Sequence, residues 1–114
     1  MRVAIVGSRN IENNEEYWYG KICGSVPRNC TEIVSGGADG IDTLARRYAE
    51  EYGLLFKVFP PEYDRYGKSA VFIRNLQIVE YAHIVIAFWD GKSKGTADTI
   101  IRCYQLDKPV EIFL

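Results

Sequence analysis

The chain has 114 residues, 47% hydrophobic and 25% charged, with a formal net charge of −1. That length admits one domain, residues 1–114, and that balance excludes a disordered chain. With no block of like charges the sequence offers no broad nucleic-acid-binding face, although a local basic cleft stays open.

Met1-Arg2 followed by Val3 to Val6 is too short an apolar run for a signal peptide or a membrane span, so a cytoplasmic protein is expected. Arg2 to Val6 reads as a buried first strand ending in Gly7-Ser8-Arg9. Asn13 or Asn14 can cap a helix to about Gly24, with Tyr17, Trp18 and Ile22 inward. Pro27 to Asn29 turns the chain into a second strand, Thr31 to Val34. After Ser35-Gly36-Gly37-Ala38-Asp39-Gly40, the residues Ile41, Leu44, Ala45, Tyr48, Ala49 and Tyr52 form an apolar helical stripe, which Gly53 stops. Leu54 to Phe59 is a third strand, and Glu62 to Lys68 a polar, aromatic-rich loop.

A helix over Ser69 to Tyr81 is expected to turn Phe72, Ile73, Leu76 and Val79 towards the sheet. His83 to Phe88 reads as the central strand, because a parallel strand buried on both faces is apolar throughout. The loop Trp89 to Gly95 leads to a last helix, Thr96 to Leu106, with Ala97, Ile100, Ile101 and Tyr104 inward, and Pro109 to Phe113 is the fifth strand. Cys23, Cys30 and Cys103 lack CxxC spacing and read as small buried hydrophobes; no metal or cofactor is implied.

Strands alternating with helices at crossover spacing define the α/β class: a three-layer domain with a five-stranded parallel sheet covered on both faces. The order 3-2-1-4-5 is expected, with the switch point between strands 1 and 4, where such sheets bind ligands.

Four segments fall at that edge: Gly7-Ser8-Arg9, Ser35 to Gly40, Phe59-Pro60, and Trp89 to Thr96. The glycines at 36, 37 and 40 would let backbone approach a ligand, with free amides at the following helix facing an anion; the alternative is a tight turn and nothing more. The segment has neither Walker A nor GxGxxG spacing. Gly95 and Thr96 amides, with the Thr96 hydroxyl and Ser93, can hold phosphate or merely cap a helix. Arg9 could fork onto phosphate or carboxylate, or form a structural salt bridge; Arg74, bracketed by Ile73 and Leu76, is expected to exit at an edge and could contact the pocket; and Asn75 could orient a ligand hydroxyl or cap a neighbouring backbone group. Lys92 and Lys94 read as solvated.

Among the carboxylates Asp39, Asp42, Asp90 and Asp98 all fall near the strand ends, while Glu62 and Asp64 could reach over the pocket. Asp42 and Asp98 also sit where a helix dipole favours negative charge. Tyr63, Tyr66 and Trp89 lie in loops where a base could stack, or where a small core or an interface could use them. His83, the single histidine, opens a strand at the end away from the site.

The runs Gly7-Ser8-Arg9, Ser35-Gly36-Gly37-Ala38-Asp39-Gly40-Ile41-Asp42 and Arg74-Asn75 resemble the Rossmann-like core of the DNA-processing protein A (DprA) family. More broadly they are similar to the SMF/DprA–LOG (SLOG) superfamily, especially its small stand-alone DUF2493-like members. The resemblance implies a nucleotide-binding fold whose glycine-rich segments face the ligand. Members of the DprA family bind single-stranded DNA and a recombinase through larger proteins; at 114 residues without net positive charge, that role is not carried over. The LOG branch comprises phosphoribohydrolases, whose catalytic arginine is similar in placement to Arg74. Their Pro-Gly-Gly-x-Gly-Thr-x-x-Glu motif is matched only in part by Trp89 to Thr99: Thr99 stands at the glutamate position. Asp98 comes one residue early, a rotation of roughly 100° on a helix.

The leading expectation is therefore a non-catalytic or weakly catalytic domain that binds a nucleotide or nucleotide-derived metabolite. Its ligand contacts would come from Gly7, Ser8, Arg9, Ser35, Gly36, Gly37, Ala38, Asp39, Gly40, Asn75, Trp89, Gly95 and Thr96. The alternative is an N-glycosidic hydrolase or transferase in which Arg74 and Arg9 hold phosphate and Asp98 or Asp42 supports the charge of the transition state. A small DNA-handling module ranks third, with nucleic acid not the expected partner. A homodimer could close an otherwise open pocket.

Overall fold

A computed structural model describes residues 1–114. Its order is β1 (Arg2–Gly7), α1 (Glu15–Ser25), β2 (Glu32–Ser35), α2 (Ile41–Glu51), β3 (Leu55–Val58), α3 (Tyr63–Tyr66), α4 (Ala70–Tyr81), β4 (Ile84–Phe88), α5 (Lys94–Gln105) and β5 (Val110–Phe113). All neighbouring strands pair in parallel, in the order β3-β2-β1-β4-β5. The strand order and the α/β class are those the sequence pattern calls for. No helix is long and apolar enough to cross a membrane.

The pleat of β1 divides its side chains between two cores. Val3 and Ile5 enter the core under α1 and α2, with Ile22, Ile33, Ile41, Ile86 and Phe88. Ala4 and Val6 enter the opposite core under α4 and α5, with Val34, Ile78, Val79, Val85, Ala87 and Cys103. Each large aliphatic side chain buried in this way contributes about 1.5–3 kcal/mol of transfer free energy. β1 therefore cements both layers, and its C-terminal end becomes the fixed point around which the loops are arranged.

Several helical faces differ from expectation. On α1 the buried aromatic is Tyr19, whereas Tyr17 is 56% exposed. Tyr19 is held by a 2.5 Å hydrogen bond to Glu51, with the Arg47 guanidinium 3.8 Å above its ring. On α5 the inward residues are Thr96, Thr99, Ile100 and Cys103, while Ile101 and Tyr104 are exposed. α4 turns Ala70, Arg74, Asn75, Ile78 and Val79 inward, leaving Phe72 exposed and Ile73 and Leu76 half-buried. Counting apolar residues misplaces this face, because two polar side chains on it find partners in the neighbouring loops. The 62–69 segment is not a plain loop: it forms α3 and then a 3-10 turn, Gly67–Ser69. Cys30 and Cys103 are buried, Cys23 is half-buried, and all three are free thiols.

Candidate anion-binding cavity at the switch point

β1 and β4 are neighbours, yet the chain leaves them towards opposite layers, which opens a crevice at their C-terminal ends. A cavity of about 370 Å³ lies there, its wall including Ser8, Arg9, Gly36, Asp42, Arg74, Asn75, Asp90, Gly95, Thr96 and Thr99, with Val6 and Ile78 also contributing. Two shallower concavities, of about 350 and 250 Å³, adjoin it, and Arg9 lines all three.

Ser8 holds the rim together. It is 5% exposed; its amide donates to the Phe88 carbonyl, its carbonyl accepts from the Ile41 amide, and its hydroxyl accepts from the Asp90 amide. One residue thus joins β4, the start of α2 and the loop before α5. Arg9, next in sequence, is exposed and makes no side-chain hydrogen bond or ion pair.

Arg74 is only 7% exposed. Its Nη1 donates to the Gly36 carbonyl at 2.7 Å and its Nε to Asn75 Oδ1 at 3.1 Å, which leaves Nη2 without a protein partner. Burial pulls its pKa below the ordinary arginine value, the nearby Asp42 charge opposes that pull, and Arg9 adds to it. Gly36 makes the arrangement sterically feasible, since a Cβ there would collide with the Arg74 guanidinium. Gly40 is required for a different reason: its φ of 73° is left-handed, and a Cβ would strike the Arg9 carbonyl.

Three amides of the loop before α2 are already taken. Gly37 N–H donates to Ser35 Oγ at 3.2 Å, Ala38 N–H to Asp42 Oδ2 at 3.0 Å, and Ile41 N–H to Ser8. Asp42 is 8% exposed, and burial raises its carboxyl above the ordinary value against the pull of the Ala38 amide, Arg74 and Arg9. The glycine-rich run expected to cradle an external anion is therefore folded around a carboxylate of its own.

The start of α5 is built differently. Asp90 Oδ1 accepts from the Lys92 and Ser93 amides at 2.8 and 2.7 Å, which holds its carboxyl below the ordinary aspartate range. Ser93 is the N-cap residue, and the first intrahelical bond runs from the Ala97 amide to its carbonyl. The amides of Lys94, Gly95 and Thr96 thus have no partner within the helix, and Gly95 and Thr96 line the cavity.

Asn75 ties this helix to Arg74. It accepts from Arg74 and donates through Nδ2 to the Gly95 carbonyl and Asp98 Oδ2, at 3.3 and 3.2 Å. Asp98 is committed to Asn75 and to an ion pair with Arg102 at 3.0 Å, and it does not line the cavity. Trp89 packs against the α4/α5 core and donates to the Ser93 carbonyl. Gly37 and Asp39 face the smallest concavity, alongside Pro61. Asn10, Val71, Ile78 and Thr99 are cavity residues that the sequence pattern did not single out. For Thr99 the only signal was its place at the end of the partial Pro-Gly-Gly-x-Gly-Thr-x-x-Glu match.

Fold and crevice together define a Rossmann-like α/β domain with a polar cavity at its switch point, where Arg9 and Arg74 meet Asp42 and Asp90. The sequence profile of the DNA recombination-mediator protein A family matches residues 1–67, and the chain belongs to that family. The matched part carries Gly7 to Arg9 and Ser35 to Asp42, while Arg74 and α5 lie beyond it. DNA processing protein A from Helicobacter pylori, whose structure was described for its single-stranded DNA binding mode, superposes with a TM-score of 0.70 at 20% identity. The match covers 98% of this chain and 64% of that one, so the chain spans less than two-thirds of that protein's length. No curated protein sequence matches the chain.

These findings correct two expectations. Membership of a DNA recombination-mediator family displaces the reading as a binder of nucleotide-derived metabolites, and it reverses the ranking of nucleic acid as a partner. The physical reason lies in averaging. A net charge of −1 describes the whole chain and does not say which groups meet: one crevice brings together Arg9, Arg74 and the α5 terminus, with Asp42 and Asp90 beside them.

Proposed function

We propose that this chain is a single-stranded-DNA-handling domain that grips the phosphate backbone in the crevice between Arg74 and the start of α5. The observation that carries this reading is the Arg74 guanidinium: buried, fixed by Gly36 and Asn75, and left with a free donor beside the unpartnered amides of α5. A phosphodiester offers the charge and acceptors such a site lacks. Arg9, exposed where three concavities meet, supplies a second cation along the strand. The finer likeness to DUF2493-like members belongs to the same proposal and rests on the Gly-Ser-Arg and Ser-Gly-Gly-Ala runs.

Fluorescence anisotropy of a labelled single-stranded oligonucleotide across a salt series tests it. Affinity should fall with salt, with a logarithmic slope of about −0.7 per phosphate neutralised. Arg74→Ala should weaken binding about thirtyfold or more, because it strips the donor from a desolvated anion. Arg9→Ala should cost less and flatten the salt slope by about 0.7. No binding by the wild type at low salt would sink the proposal.

A further inference from the structure

The phosphate site leaves open where the attached base goes, and three aromatic residues near the crevice are candidates. Trp89 is committed: its ring packs on the α4/α5 core and its Nε1 donates to the Ser93 carbonyl at 3.0 Å. Tyr66 is half-buried, with the Arg65 guanidinium 5.1 Å above its ring. Tyr63 differs from both. It is 57% exposed, its hydroxyl has no hydrogen-bond partner, and no other aromatic ring stacks on it.

Its position is set by the chain around it. Pro60-Pro61 ends the run out of β3, and α3 begins at Tyr63, two residues beyond Pro61. Pro61 itself walls the concavity of about 250 Å³ that Arg9, the run Gly36 to Asp39 and Arg74 also line. A flat, exposed ring is thus carried two residues beyond one wall of a recess that Arg74, the arginine of the proposed phosphate site, also lines.

We infer that Tyr63 is the stacking platform for a nucleobase whose phosphate is held by Arg74, the base lying over the recess beside Pro61. This rests on the single-stranded-DNA reading and adds to it a base subsite that tolerates any sequence, since every base presents a π-face. The ring is free and exposed, so truncating it removes a ligand contact without opening the core.

The test compares a short single-stranded oligonucleotide with a strand of the same length built of abasic tetrahydrofuran units, measured by anisotropy at one salt concentration. Tyr63→Ala should lose about tenfold in affinity for the base-carrying strand and nothing for the abasic one, whereas Tyr63→Phe should bind both like the wild type. Equal losses on the two strands, no loss on the base-carrying strand, or a Phe variant as weak as the Ala variant would each overturn the stacking role. A wild type that binds neither strand removes the DNA reading itself. Wild-type binding left intact by Tyr63→Ala removes only the stacking subsite.

Discussion

The two loops that open α2 and α5 leave parallel strands at the same edge of the sheet, and both are rich in glycine and hydroxyl side chains. They nevertheless use their carboxylates differently. Before α2, Asp42 folds back onto the Ala38 amide and stands by Arg74, so the loop supplies its own anion. Before α5, Asp90 binds the amides of the preceding turn and leaves those of Gly95 and Thr96 facing the cavity. Glycine content therefore does not identify an anion site. A candidate site is better sought among the donors that remain after the local carboxylates have taken theirs.

The largest effect should come from breaking the contact that joins the two loops. Gly36→Ala places a methyl group against the Arg74 guanidinium, on a carbonyl that Arg74 needs. Overpacking of this kind costs about 1–3 kcal/mol. Thermal unfolding should shift down by several degrees, and oligonucleotide affinity should fall with it because Arg74 is displaced from the cavity. A Gly36→Ala protein with unaltered affinity would mean that Arg74 does not work from the position seen here.

A smaller and opposite change is expected at Asp42. Asn preserves the acceptor for the Ala38 amide while removing a negative charge beside the proposed phosphate site, so Asp42→Asn should bind single-stranded DNA several-fold more tightly by relief of like-charge repulsion. The pH dependence follows from the raised carboxyl of Asp42. Because the folded value lies above the ordinary 3.8, the folded state takes up the proton more readily than the unfolded one. Its contribution to stability is fully present below 3.8 and is lost as pH rises through the raised value. Wild-type affinity should decline over the same rise, and Asp42→Asn should flatten that segment of the profile. Asp90 titrates in the opposite sense: its carboxyl is depressed, so its hold on the α5 turn is present above the ordinary value and lost as pH falls through the lowered one. Identical pH profiles for Asp42→Asn and wild type would break the contrast between the loops.

The fold was legible because parallel strands buried on both faces leave short apolar runs, and crossover helices leave stripes such as Ile41 to Ala49. The site was legible only as a neighbourhood. Strand ends and glycines pointed to the edge of the sheet where the cavity lies, but the inward turn of Arg74 and Asn75 could not be read from a helix with Phe72, Ile73 and Leu76 on other faces. Their partners are the Gly36 carbonyl, 38 residues away in sequence, and the Gly95 carbonyl, 20 residues away. The self-capping of the α2 loop was equally hidden, since Asp42 reads as an ordinary first-turn acid until its bond to Ala38 is seen. Net charge misled for the same reason: it carries no information about which charges meet.

The smallest expected effect concerns the carboxylate on α5 itself. Asp98 is the residue a hydrolase would most need, yet it faces Arg102 and Asn75 rather than the cavity. If α5 contributes through its amides, then Asp98→Asn should leave oligonucleotide affinity unchanged, since Asn still offers Asn75 an acceptor. The cost should be confined to a partly exposed i,i+4 ion pair, about 0.3–0.5 kcal/mol. A Tm shift of a few degrees at most, with an unaltered binding curve, is the expected result. A marked change in affinity would mean that Asp98 reaches the bound strand, and that the start of α5 is governed by a carboxylate just as the start of α2 is.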